Sequence, residues 1–125
     1  MSSPLNVVVV IPAYNEAATI RDVVSRTLEY CPRVVVVDDG SSDDTVAQLE
    51  GLPLTVLQNE QNAGKAASLW NGMRYALQQG AEAVVTLDGD GQHDPADIPR
   101  LLAAAQRYPG HTLIAARLQN RDSAP

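Results

Sequence analysis

The chain has 125 residues, with 9 Lys+Arg against 15 Asp+Glu and a net charge of −6. That length suits one domain with its own core, and the acidic balance argues against a general nucleic-acid binder, which needs a cationic face. A single cysteine, Cys31, excludes an internal disulfide framework and fits a reducing compartment. The longest apolar run, Val7–Ile11, is far shorter than the roughly 18–20 residues of a membrane span. Met-Ser-Ser-Pro carries no basic stretch, so no signal peptide is expected and the cytosol is the default compartment.

Leu5–Ile11 is β-branched and continuous, which predicts a strand buried on both faces, ended by Pro12. Ala17–Tyr30 places Ile20, Val23, Val24 and Leu28 at helical spacing, and Cys31-Pro32 stops that helix. Val34–Val37 reads as a second buried strand, followed by the turn formers Asp38-Asp39-Gly40-Ser41-Ser42. A short helix over about Asp43–Glu50, closed by Gly51, leads to a third strand at Leu54–Leu57. Lys65–Gln79 is the best helix, with Ala66, Leu69, Trp70, Met73, Ala76 and Leu77 as its expected buried stripe and Gly80 after its end. Ala83–Leu87 is a fourth strand. Asp94-Pro95 opens a helix that buries Ile98, Leu101, Leu102 and Ala105, and Leu113–Ala116 is a fifth strand. Strands alternating with helices predict an α/β fold: a doubly wound, mostly parallel sheet with helices on both faces.

Such sheets bind ligands beyond the carboxyl ends of their strands, and here each of those ends carries a polar cluster. Two carboxylates around one glycine, Asp88-Gly89-Asp90, can turn toward one hard divalent cation, Mg²⁺ or Mn²⁺, with Gln92 as a further oxygen donor. The same residues also make an ordinary turn, and both readings stand. An EF-hand is excluded, because the glycine position holds His93 and the twelfth holds Pro99. Asp38-Asp39 is either a capping turn or an acceptor for a nucleotide's base or ribose. Lys65, the sole lysine, starts a helix, where a cation is electrostatically misplaced unless an anion lies nearby.

Taken in order, Val9-Val10-Ile11-Pro12-Ala13-Tyr14-Asn15-Glu16, Val36-Val37-Asp38-Asp39-Gly40-Ser41-Ser42-Asp43, Asn62-Ala63-Gly64-Lys65-Ala66-Ala67 and Leu87-Asp88-Gly89-Asp90-Gly91-Gln92-His93 resemble the family 2 glycosyltransferases. The resemblance is greatest to the dolichyl-phosphate mannose synthase and polyprenyl-phosphate branch. It implies a GT-A fold over residues 1–117, with 118–125 starting an acceptor half that the chain lacks, and a nucleoside-diphosphate sugar as donor. By resemblance, Pro12, Ala13, Tyr14 and Glu16 line the nucleotide pocket, and Asp39, less readily Asp38, accepts a base N–H. Lys65, Asp88, Gly89 and Arg117 lie near the diphosphate, while Asp88, Asp90 and Gln92 hold Mg²⁺ or Mn²⁺. The acceptor implied is a polyprenyl phosphate, another lipid phosphate or a glycan, with membrane contact peripheral and at the cytoplasmic face. No general base is assigned. The chain alone is expected to be inactive, and to expose an apolar patch at Leu113, Ile114 and Leu118 that would pair two copies into a homodimer. Two other functions remain on the sequence, a nucleotidyltransferase of related fold and a non-catalytic nucleotide binder. A dinucleotide oxidoreductase does not, since Pro-Ala-Tyr-Asn-Glu stands where Gly-x-Gly-x-x-Gly is required.

Overall fold

The computed structural model describes residues 6–88, 95–100, 103 and 112–114. Five strands, β1 (Val7–Ala13), β2 (Val34–Asp38), β3 (Thr55–Gln58), β4 (Ala83–Thr86) and β5 (Thr112–Ile114), form one parallel sheet in the order β3-β2-β1-β4-β5. Every residue of β1 and β2 is buried, as their unbroken apolar runs predict for strands covered on both sides.

Alternation along the strands divides the core. Val7, Val9 and Ile11 pack with Val34, Val36 and Val85 against Ile20, Val23 and Val24 of α1 (Ile20–Leu28). Val8 and Val10 pack with Val35, Val37 and Val84 against Ala76 of α2 (Lys65–Gln78). The two helices therefore cover opposite faces, as a doubly wound sheet requires. At the amino edge, Asn6 joins three strands: its backbone N–H donates to Glu82 Oε1 (3.0 Å) and its side chain donates to Gly80 O (2.8 Å). Its Oδ1 accepts from Arg33 Nη1 (2.7 Å).

Several local expectations need correction. β1 does not stop at Pro12 but runs through it, with Pro12 opposite Val37 and Ala13 opposite Asp38. Ladder bonds from Val9 and Ala13 go to the β2 side, whereas Val10 O accepts the Leu87 N–H on the β4 side. Pro12, two residues beyond Val10, therefore turns its donorless nitrogen to the β4 side and ends that ladder at the Leu87–Val10 bond, while the β2 side continues to Ala13. The third strand begins one residue later than expected, at Thr55, and the fifth one residue earlier, at Thr112.

The helix expected over Asp43–Glu50 shrinks to a 3-10 turn at Ala47–Leu49. Asp43 Oδ1 accepts the Thr45 N–H at 3.0 Å, a local bond that competes with helix formation.

In α2 the buried positions are Ser68, Gly72 and Ala76, while Ala66, Trp70 and Leu77 are exposed, Trp70 by 60%. The expected stripe is thus rotated. A Cβ at Gly72 would stand 2.4 Å from Val10 Cγ1 and 2.9 Å from Val37 Cγ2, so only small residues let the helix approach the sheet this closely. Ile98 is fully buried against the α1 side, as expected. Asp94, Leu101, Leu102, Ala105, the 118–125 tail and the side chains of the proposed Leu113, Ile114 and Leu118 patch lie outside the described residues. Among the described residues, no helix is long and apolar enough to cross a membrane.

Candidate functional site

The strand order reverses direction between β1 and β4, and the carboxyl ends on either side of that gap bound a crevice. A cavity of about 290 Å³ opens there, lined by Pro12, Ala13, Tyr14 and Glu16 from the end of β1, Asp39 after β2 and Asp88 after β4. Asn62, Gly64, Lys65 and Ser68 close it from the start of α2. Seven residues singled out in the sequence, Pro12, Ala13, Tyr14, Glu16, Asp39, Lys65 and Asp88, therefore meet in one space.

Two groups of bonds hold the rim. Asn15, at φ 52°, accepts the backbone N–H groups of Ser42 (2.8 Å) and Asp43 (3.3 Å) on its Oδ1 and donates its own backbone N–H to Ser41 Oγ (2.9 Å). Glu16 N–H donates to Thr45 Oγ1 and Ala17 N–H to Asp43 Oδ2. Asp43 is also bonded to the Thr45 hydroxyl, and that bond leads the causes holding its carboxyl below the ordinary value. The loops after β1 and β2 are in this way stitched together.

The second group centres on Asp39. Its Oδ1 accepts the Ala63 N–H at 2.7 Å and Asn59 Nδ2 at 2.9 Å, and its Oδ2 accepts the Gly64 N–H at 3.0 Å. Burial pushes this carboxyl up, but the bonds from Ala63, Asn59, Gly64 and Ser68 together outweigh it and leave the group below the ordinary carboxylate value. A carboxylate offers about four acceptor positions, so at most one remains for a ligand. Asp39 is thus first of all a clasp that fastens the 59–64 loop and the start of α2 to the sheet.

Asp38 is placed differently. By alternation it continues the α1-facing series of Val34 and Val36, and it is absent from the cavity lining. It is 5% exposed, and its Oδ1 has no hydrogen-bond partner. Adjacent carboxylates in the sequence thus part to opposite faces, and Asp38 lies outside the lining of this cavity, where it was expected.

Across the crevice, Lys65 Nζ lies 2.6 Å from Asp88 Oδ1, the two side chains 49% and 21% exposed. This cation sits on the first residue of α2, where the helix dipole opposes it and no side chain caps the helix. Asp88 compensates by pairing with it. The carboxylate thus already carries a positive partner. Among the described residues no three acidic, histidine or cysteine side chains converge as a metal cluster. Gly89, Asp90, Gln92, His93 and Arg117 lie outside the described residues. Asn62, Gly64 and Ser68 were not singled out as lining residues. Their signal lay in sharing a segment with Lys65, but only the clasp by Asp39 turns that segment into the cavity wall.

Residues 8–124 match the family described as glycosyl transferase family 2. The chain is 32% identical to an undecaprenyl-phosphate 4-deoxy-4-formamido-L-arabinose transferase of Proteus mirabilis, over 93% of this chain and 38% of that protein. It is 38% identical to the polyprenol monophosphomannose synthase of Mycolicibacterium smegmatis, over 77% of this chain and 39% of that one. Among solved structures, the glucosyl-3-phosphoglycerate synthase of Mycobacterium tuberculosis in complex with Mn²⁺ and UDP-glucose superposes with a TM-score of 0.65. The two are 29% identical, with 79% of this chain and 38% of that one covered. The chain spans roughly two-fifths of the length of these relatives. A doubly wound parallel sheet with its polar crevice at the β1/β4 switch, and a family match running almost end to end, lead to one conclusion: the chain belongs to glycosyl transferase family 2.

Proposed function

We propose that this chain is the donor-binding part of a glycosyltransferase that takes a sugar from a nucleoside diphosphate and transfers it to a polyprenyl phosphate. The observation that carries the donor half of this reading is the cavity at the switch point. It brings Asp88 and Lys65 into contact beside Pro12, Ala13, Tyr14, Glu16 and Asp39. A carboxylate able to hold a divalent ion and an ammonium at a helix start are complementary to a metal diphosphate. The acceptor class rests on the relatives named for undecaprenyl phosphate and polyprenol monophosphate.

On this reading Asp88, with Asp90 and Gln92 beyond the described residues, holds Mg²⁺ or Mn²⁺. Such an ion offsets the charge that develops on the departing nucleoside diphosphate. Lys65 draws the diphosphate toward the start of α2. Pro12, Ala13 and Tyr14 form the wall for the nucleoside, and Asp39 keeps the opposite wall in place through Ala63 and Gly64. Gly89 and Arg117 take their places beside the diphosphate by family resemblance alone.

Titration calorimetry with UDP and with GDP, each with and without Mn²⁺, tests the reading. Metal-dependent binding of one nucleoside diphosphate, with no response to NAD, is expected. Binding of neither in the presence of Mn²⁺ would refute it.

A further inference from the structure

We infer that Lys65 is an internal counter-cation that occupies Asp88 until a nucleoside diphosphate arrives, so that nucleotide and divalent metal bind cooperatively rather than independently. The inference rests on the donor-site reading above and extends it to the order of events.

Lys65 is the only lysine in the chain and stands on the first residue of a 14-residue helix, the end where an anion, not a cation, is favoured. It is retained there by the contact at 2.6 Å with Asp88 Oδ1, which reaches across the crevice from the end of β4. The surrounding wall is acidic, with Glu16 and Asp39 in the same lining. Asp39 is already committed to three hydrogen bonds, so Asp88 is the carboxylate the ammonium neutralises.

A divalent ion that takes Asp88 as a ligand competes with this ammonium, because an ion on either carboxylate oxygen would lie within a few ångströms of Nζ and bring two cations together. A diphosphate resolves the conflict. It offers Lys65 a stronger anionic partner at the same helix end and leaves Asp88 for the metal. By linkage, whatever nucleotide does for metal affinity, metal does for nucleotide affinity by the same factor. Lys65 thus acts as a positioning residue that suppresses metal binding to the empty site.

Mn²⁺ binding to the 125-residue chain, followed by the electron paramagnetic resonance signal of the free ion, tests this. Without nucleotide, Lys65→Met is expected to bind Mn²⁺ about five-fold tighter than wild type, the worth of one partly exposed ion pair. Lys65→Arg, which keeps the charge, should stay near wild type. The factor by which UDP tightens Mn²⁺ binding should fall by a similar amount in Lys65→Met. Unchanged or weaker Mn²⁺ affinity in both Lys65→Met and Lys65→Gln, each with a wild-type circular dichroism spectrum, overturns the inference while leaving the donor site intact. Wild-type Mn²⁺ binding by Asp88→Asn in the presence of UDP overturns the metal role of Asp88 itself, a separate result.

Discussion

Replacing Asp39 with asparagine keeps the shape of the side chain and changes one oxygen into a donor. In the native site, Oδ1 accepts from Ala63 and Asn59 and Oδ2 from Gly64. With the new amide oxygen at the Oδ1 position, its NH₂ faces the Gly64 N–H, and one buried donor loses its acceptor. That loss costs about 1–3 kcal/mol, and the two remaining bonds drop from charge-assisted to neutral at roughly 0.5–1 kcal/mol each. A total near 3 kcal/mol lowers Tm by on the order of 10 °C in a domain of this size. The pH dependence has a definite sign. The folded carboxyl lies below its ordinary value, so its contribution is complete above the unfolded value of about 3.9 and is lost as pH falls through the lower folded value. Urea melts of both proteins at pH 7, 5 and 3 should therefore show a gap at the first two that begins to narrow at the third, where the unfolded chain's carboxyl takes up a proton that the folded one resists. Identical midpoints at pH 7, with UDP binding lost, would refute the clasp and return Asp39 to the base-reading role first expected of it.

Gly72→Ala should destabilise the chain by about 1–3 kcal/mol or more through overpacking, since its methyl group meets Val10 and Val37; thermal denaturation measures it, and an unchanged Tm would contradict the packing described. Gly40→Ala acts on the site: at φ +72° its Cβ would fall 2.8 Å from Asn62 N and Gln61 C, backbone that cannot rotate away. Calorimetry should show weaker UDP binding as the 61–64 segment shifts, and wild-type affinity would contradict this. Cys31 is buried, and burial pushes its thiol up, so a disulfide reagent at pH 7 should label it only after urea unfolding. Rapid labelling of the native chain would contradict its burial.

Much of the architecture was legible because β1 and β2 are runs of valine too uniform for any role except a strand covered on both faces. The face of α2 was not. Large apolar residues at helical spacing, Leu69, Trp70, Met73 and Leu77, suggested the seam, whereas close approach to the sheet selects Ser68, Gly72 and Ala76. Smallness at every fourth position carries little hydrophobic signal, and its meaning depends on the partner surface. The site was legible at the level of which segments converge, because topology alone brings the ends of β1, β2 and β4 together. What each carboxylate does there was not, since Asp38 and Asp39 differ only in which face of β2 they leave. The partners that make Asp39 a clasp lie 20 to 25 residues further along the chain.

The sheet order also governs how the chain comes to be folded. β1 lies at the centre, and its β4 neighbour pairs Val7 with Ala83 and Val10 with Thr86, some 76 positions downstream. During synthesis the four-valine run Val7–Val10 therefore emerges well before β4 and keeps one hydrogen-bonding edge open until β4 has been made. Such a segment, β-branched, uncharged and without proline, is the kind that pairs with other chains when left waiting. Distant parallel pairing is also slow to form. Recovery on refolding should thus fall steeply with protein concentration, and the centre of the sheet, the most protected place in the finished molecule, is the most vulnerable one on the way there.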